Sequence, residues 1–238
     1  MSTVEAAAGK AQAMVRDSVK TVIAASMVGT AIEFYDFYAY GTAAANYFPK
    51  VFFGDTTNPT VALLASLLTF AIAFIARPLG SLVFGHFGDR MGRKTTLVVS
   101  LLTMGIATFL IGCLPSYSVI GVGAPILLLL LRMVQGFSAS GEYAGAATFL
   151  GEYAPTSKRG IYCSLIPAST AIGLLAGSTL ATLMTANMNS SAMVGWGWRV
   201  PFLLAGPLGL IVLYIRAKLA DSPVYQSMND ALESKGAA

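Results

Sequence analysis

Apolar residues gather in six stretches of the chain, at about 19–47, 61–85, 95–114, 123–152, 161–186 and 199–216, and polar or basic residues separate them. Each stretch is near or beyond the ~20 residues that a helix needs to cross a hydrocarbon core of ~30 Å. The pattern predicts an all-α polytopic membrane protein of six transmembrane helices, over residues 19–218, in a lipid bilayer. Residues 1–18 and 219–238 read as short polar tails that fray rather than fold. The connections read as short loops: GDTTNP at 54–59 and NMNSSAMVGWGW at 187–198 on one side, GHFGDRMGRK at 85–94 and EYAPTSKRG at 152–160 on the other.

Composition agrees with a bilayer setting. The 238 residues are 55% hydrophobic and 11% charged, with a mean hydropathy of +0.69, so polar surface is too scarce to cover a soluble globule. Basic residues orient the spans. With the amino terminus inside, the cytoplasmic segments hold Lys10, Arg16, Lys20, Arg90, Arg93, Lys94, Lys158, Arg159, Arg216, Lys218 and Lys235, against Lys50 and Arg199 outside. This bias predicts that both termini are cytoplasmic, in a multi-pass protein of the cell membrane, the inner membrane in a Gram-negative source. The net charge of +4 is then a property of topology and does not call for nucleic acid as a partner. The first apolar run continues into IEFYDFYAYGTAAANYF without a short cleavable signal, so the first span is expected to stay. Cys113 and Cys163 fall at opposite ends of their spans, too far apart for a disulfide, and no spacing suggests a metal or a cofactor.

Five ionisable residues sit inside the stretches: Glu33, Asp36, Arg77, Arg132 and Glu142. Each costs on the order of 2.5–3.5 kcal/mol at a helix centre, so they must face protein or water. At ~1.5 Å per residue, Glu33, Asp36 and Arg132 fall in the outer half and Arg77 and Glu142 in the inner half, which suggests two oppositely charged layers. Gly29, Glu33, Asp36 and Tyr40 share one helical face, and Arg132, Gln135, Ala139 and Glu142 share another. Facing each other, the two stripes would line a hydrated pathway. Internal ion pairing that only holds the bundle together is the competing reading, evenly matched for Arg77, whose long side chain beside Pro78 can snorkel. Glu33 and Asp36 are too short to reach the interface, which favours a functional role for them and for Arg132. A buried carboxylate close to a mobile arginine can exchange a proton, as coupling a proton gradient to transport requires. Small residues recur in the spans, including the GxxxG spacing at Gly141–Gly145, which lets helix backbones approach closely, and Gly206-Pro207 is expected to bend the last span.

The connection Gly85-His86-Phe87-Gly88-Asp89-Arg90-Met91-Gly92-Arg93-Lys94 matches every defined position of the GxxxDRxGRK signature, and so resembles the major facilitator superfamily. Arg132-Met133-Val134-Gln135-Gly136 resembles its RxxQG motif, and Glu152-Tyr153-Ala154-Pro155 with Arg159-Gly160 its ExxPxxxRG loop. Glu33-Phe34-Tyr35-Asp36-Phe37, Gly141-Glu142-Tyr143, Trp196-Gly197-Trp198-Arg199-Val200-Pro201-Phe202 and Asp221-Ser222-Pro223 narrow the likeness to the metabolite:proton symporters, which include proline/betaine, shikimate, citrate and 2-oxoglutarate transporters. Ser140 stands where those symporters commonly have glycine. The resemblance implies that Glu33, Asp36, Tyr40, Arg132, Gln135 and Glu142 line the proton and substrate pathway. It implies a cytoplasmic gate at Gly85, Asp89, Arg90, Gly92 and Arg93, completed by Glu152 and Arg159.

Members of this superfamily have twelve helices in two halves that rock about a midplane site. The chain is thus expected to supply the amino-terminal half, with a carboxy-terminal half or a second copy as its partner. The expected ligands are protons and a small organic acid or a proline/betaine-like zwitterion, which Arg132 and the ring and hydroxyl surfaces of Tyr35, Tyr38 and Tyr40 suit. A non-transporting membrane subunit or receptor-like assembly partner is the alternative, but it does not need Glu33, Asp36 and Arg132. An intramembrane enzyme is disfavoured, because His86 is the only histidine and no HExxH or GxSxG occurs.

Overall fold

The computed structural model describes residues 3–54, 58–91 and 93–217. Its helices are α1 (Thr3–Asn46), α2 (Phe48–Phe52), α3 (Pro59–Met91), α4 (Arg93–Cys113), α5 (Tyr117–Ile120), α6 (Gly123–Tyr153), α7 (Arg159–Asn187), α8 (Ser190–Ala192) and α9 (Arg199–Ala217), with a π turn at Met193–Gly197 before α9. The described residues are therefore helical almost throughout. Among the described residues, four helical segments, Pro59–Gly88, Thr95–Cys113, Gly123–Glu152 and Thr156–Asn187, are long and apolar enough to cross a membrane, and Ser190–Gly197 with Arg199–Tyr214, bent by 42°, make a fifth if taken as one span. The first predicted span is not in that set. Its helix α1 carries Glu33, Asp36 and several tyrosines, which dilute its apolarity.

The backbone departs from the sequence-based expectations in three places. Helix α1 begins at Thr3, so the segment expected to fray is helical. The GHFGDRMGRK connection is not an open loop: α3 runs to Met91 and α4 starts at Arg93, so most of the signature rides on helix. The expected loop at 187–198 is largely helical, because the Asn189 side chain accepts from the Ala192 amide to cap α8 and the π turn carries the chain into α9. Pro78, Pro167 and Pro207 lie inside continuous helices. The tail at 219–238 and the tip of the first outer connection, residues 55–57, lie outside the described residues.

Helix α3 packs along α6, α1 along α7, and α4 against both α6 and α9. Glycines permit the closest of these contacts. A Cβ on Gly80 of α3 would lie 2.0 Å from the Phe137 carbonyl oxygen of α6 and 2.4 Å from Ser140 Oγ, and one on Gly173 of α7 would lie 2.1 Å from the Ala31 carbonyl oxygen of α1. The expected GxxxG pair works differently: Gly141 meets the Phe84 side chain and Gly145 the Leu97 side chain, on two separate helices, and not a facing backbone. An aromatic cluster of Tyr40, Phe48, Phe52, Trp198 and Phe202 fills the end of the bundle that carries α2. Aliphatic residues, among them Val22, Leu97, Leu150 and Ile166, fill the opposite end. Large apolar side chains such as Leu68, Ile75, Leu79 and Leu82 of α3 face outward, an exposed surface that a water-soluble bundle rarely carries. Cys113 and Cys163 are both free thiols.

Candidate functional site

A polar layer crosses the bundle on the core side of the aromatic end. The helical spacing read from the sequence brings Glu33, Asp36 and Tyr40 of α1 and Arg132, Gln135 and Glu142 of α6 into the interior, all buried. Asp36 and Arg132 form an ion pair at 3.6 Å, with side chains only 5% and 3% exposed. Gln135 bridges them: it accepts from Arg132 Nη1 through Oε1 and donates from Nε2 to Asp36 Oδ2. Partner chemistry fixes this amide orientation, since a guanidinium only donates and an ionised carboxylate only accepts. Gln135 Nε2 also donates to Thr108 Oγ1 at 2.7 Å, and that hydroxyl in turn donates to the Met104 carbonyl at 2.9 Å. The Arg132 guanidinium carbon stacks 3.9 Å from the Tyr40 ring centroid. Tyr40 donates its hydroxyl to Thr69 Oγ1 at 2.7 Å, because Thr69 uses its own proton on the Ser66 carbonyl.

A second ion pair lies beside the first. Arg77 Nη2 of α3 donates to Glu33 Oε1 at 2.9 Å, with exposures of 31% and 3%. This overturns the placing of Arg77 in a charge layer apart from Glu33: instead of snorkelling away, its guanidinium closes on the carboxylate of α1. The two pairs flank a row of rings, Phe74, Phe37, Phe70 and Tyr40, in mutual edge or stacked contact. The set of two carboxylates and two guanidinium groups is neutral, which limits the cost of placing it in a low-dielectric interior. Glu142 is fully buried but sits ten residues beyond Arg132, roughly 15 Å along α6.

Thr69, Phe70, Phe74 and Thr108 were absent from the sequence-based site. Phe70, Phe74 and Arg77 follow an i, i+4, i+7 stripe on α3 that matches the stripe on α1, and that signal was available in the sequence. Thr108 had none, as a lone threonine in an apolar helix usually bonds its own backbone. The hydroxyls of Tyr35 and Tyr40, expected to face a ligand, are engaged with protein: Tyr35 donates to the Pro201 carbonyl at 3.1 Å. At the candidate gate, Gly85 and Arg90 are exposed near the end of α3, Glu152 is half-buried near the end of α6 and Arg159 opens α7. Gly92 and the side chains of Asp89 and Arg93 lie outside the described residues.

An all-helical bundle with membrane-length apolar helices and ion pairs buried at its centre is a polytopic membrane fold, and solved structures share it. The chain superimposes on a crystal structure of the D-xylose-proton symporter with a TM-score of 0.77 at 17% identity, covering 92% of this chain and 53% of that one. Against an inward-open structure of the xylose transporter XylE from E. coli the TM-score is 0.74 at 16% identity, over 90% of this chain and 50% of that one. In sequence, the chain is 50% identical over 215 residues to an inner membrane metabolite transport protein of Escherichia coli K12, covering 90% of this chain and 49% of the relative. It is 43% identical to a proline/betaine transporter of Salmonella typhimurium, over 90% of this chain and 43% of the relative. A shikimate transporter of Escherichia coli K12 is 42% identical over 84% of this chain and 46% of its own length. The profile of the sugar (and other) transporter family matches residues 21–238. The chain belongs to this family, whose members are transporters and not enzymes. It spans about half the length of the curated relatives it matches.

Proposed function

We propose that the chain is the amino-terminal half of a proton-coupled secondary transporter that takes up a small carboxylate or zwitterionic metabolite across the cell membrane by alternating access. In this reading six helices span the membrane, both termini are cytoplasmic, and a second six-helix half completes the pathway. The observation that carries the proposal is the Asp36–Arg132 pair, joined by Gln135 and buried between α1 and α6. A proton on Asp36 discharges the pair and frees the Arg132 guanidinium for a substrate carboxylate, while loss of that proton restores the internal partner. Proton and solute thereby act on one element and are coupled through it. Glu33 and Tyr40 extend the same polar face, and Glu142 continues it along α6. Gly85, Asp89, Arg90, Gly92 and Arg93, together with Glu152 and Arg159, serve as the cytoplasmic clasp in this scheme.

The relatives named as proline/betaine and shikimate transporters support a small zwitterion or organic acid as cargo. The test is uptake of labelled proline or glycine betaine by the assembled transporter in proteoliposomes. An imposed inward proton gradient should drive accumulation, and Asp36→Asn should abolish accumulation while leaving solute exchange at equilibrium. Accumulation by the Asp36→Asn protein equal to that of the unaltered protein would exclude Asp36 as the coupling group.

A further inference from the structure

The two ion pairs are built differently. Arg132 is 3% exposed, stacks 3.9 Å from the Tyr40 centroid and donates to Gln135. Arg77 makes the shorter ion pair, 2.9 Å to Glu33, but its side chain is less enclosed. It is 31% exposed, and its guanidinium carbon stands 5.7 Å from the Phe37 centroid and 5.6 Å from the Phe74 centroid. Its Nε is buried with no hydrogen-bond partner among the described residues. Around it, Phe37 and Phe74 meet edge to face with centroids 5.3 Å apart, and the 3%-exposed Glu33 supplies the negative charge. Two ring faces and one buried carboxylate within ~6 Å of a cation are the elements of a cation-recognition site.

We propose that Glu33, Phe37 and Phe74 form an organic-cation subsite in which the Arg77 guanidinium is a tethered occupant, displaced by the ammonium group of an alkylated ammonium solute. The inference rests on the transporter reading above and specifies which part of the solute this half receives. Exchange of one cation for another leaves the buried cluster neutral, so it avoids stranding Glu33 in a low-dielectric site. An alkylammonium group donates few or no hydrogen bonds and suits ring faces, whereas the planar guanidinium meets both rings near the limit of useful range. The long flexible stem of Arg77, whose side chain is 31% exposed, allows the head group to leave without backbone movement.

The probe is tetramethylammonium, titrated calorimetrically against the full chain in lipid nanodiscs, with sodium chloride of equal ionic strength as the reference. Arg77→Gln removes the competitor and should tighten binding by about tenfold. Phe74→Leu in that background should weaken it by about fivefold. The charge-balanced double variant Glu33→Gln/Arg77→Gln, which strands no charge and so guards against misfolding, should lose binding. Unchanged or weaker binding by Arg77→Gln, or equal binding by the double variant, overturns the subsite. Proton-driven uptake by the assembled transporter in proteoliposomes, measured alongside, separates the two claims: accumulation together with an overturning titration refutes only the subsite. Tighter binding by Arg77→Gln without accumulation supports the subsite and refutes only the symport reading.

Discussion

Asp36 and Arg132 offer a direct measure of how strongly the polar layer holds the bundle. At 3.6 Å and an effective dielectric of about 20, two unit charges attract by about 5 kcal/mol. Desolvation offsets much of that attraction for side chains 5% and 3% exposed, so the intact pair stabilises the fold by less than the Coulomb figure. Removing one partner is another matter, because the remaining charge is stranded. Asp36→Asn or Arg132→Gln alone should each destabilise the protein by about 3–5 kcal/mol. The double variant replaces both charges with amides of similar shape and should lie at least about 2 kcal/mol closer to the unaltered protein than the sum of the single losses. Unfolding from mixed micelles by increasing dodecyl sulfate, followed by far-ultraviolet circular dichroism, gives the four free energies of this double-mutant cycle. Additive single losses, with a coupling below about 0.5 kcal/mol, would show that the two groups do not sense each other.

Three further outcomes follow from the packing. Gly173→Ala sets a Cβ 2.1 Å from the Ala31 carbonyl, so the α1 and α7 backbones must separate, at about 1–3 kcal/mol, seen as a lower thermal midpoint; an unchanged midpoint refutes the close approach. Thr108→Val removes an acceptor of Gln135 Nε2 and should cost about 1–3 kcal/mol in the same unfolding assay, whereas Thr108→Ser should restore most of it; equal losses for the two variants would point to packing instead of the hydroxyl. Trp198→Ala removes a ring in edge contact with Phe48 and Phe52 and should destabilise by about 3–5 kcal/mol, with Trp198→Phe recovering part of the loss; full stability of the alanine variant contradicts a packed aromatic end.

Much of this arrangement is legible in the sequence for a geometric reason. Within one helix, spacing alone fixes which residues share a face, so Glu33, Asp36 and Tyr40, and likewise Arg132 and Gln135, emerge together inside the bundle. Contacts between helices are not fixed by spacing. Depth estimates assigned Arg77 to a layer apart from Glu33, yet a long side chain on a neighbouring helix covers several ångströms of depth, and the pair closes at 2.9 Å. Gly80 and Gly136 illustrate the same limit. Each meets a facing backbone, Phe137 and Ala73 respectively, while the more conspicuous Gly141–Gly145 spacing receives side chains. The helical course of the signature through Met91 was obscured by its glycines, which read as turn residues when local propensity is considered alone.

The chain contains two tryptophans, two residues apart, and the π turn before α9 sends their rings into opposite surroundings: Trp198 is 1% exposed and Trp196 is 57% exposed. The protein thus carries a matched pair of native optical probes on one turn of backbone. A soluble quencher will reach Trp196 first, while Trp198, shielded by Phe48, Phe52 and Phe202, will respond to loosening of the aromatic end, so a phenylalanine replacement at either position leaves a single-tryptophan reporter of the surface or of opening.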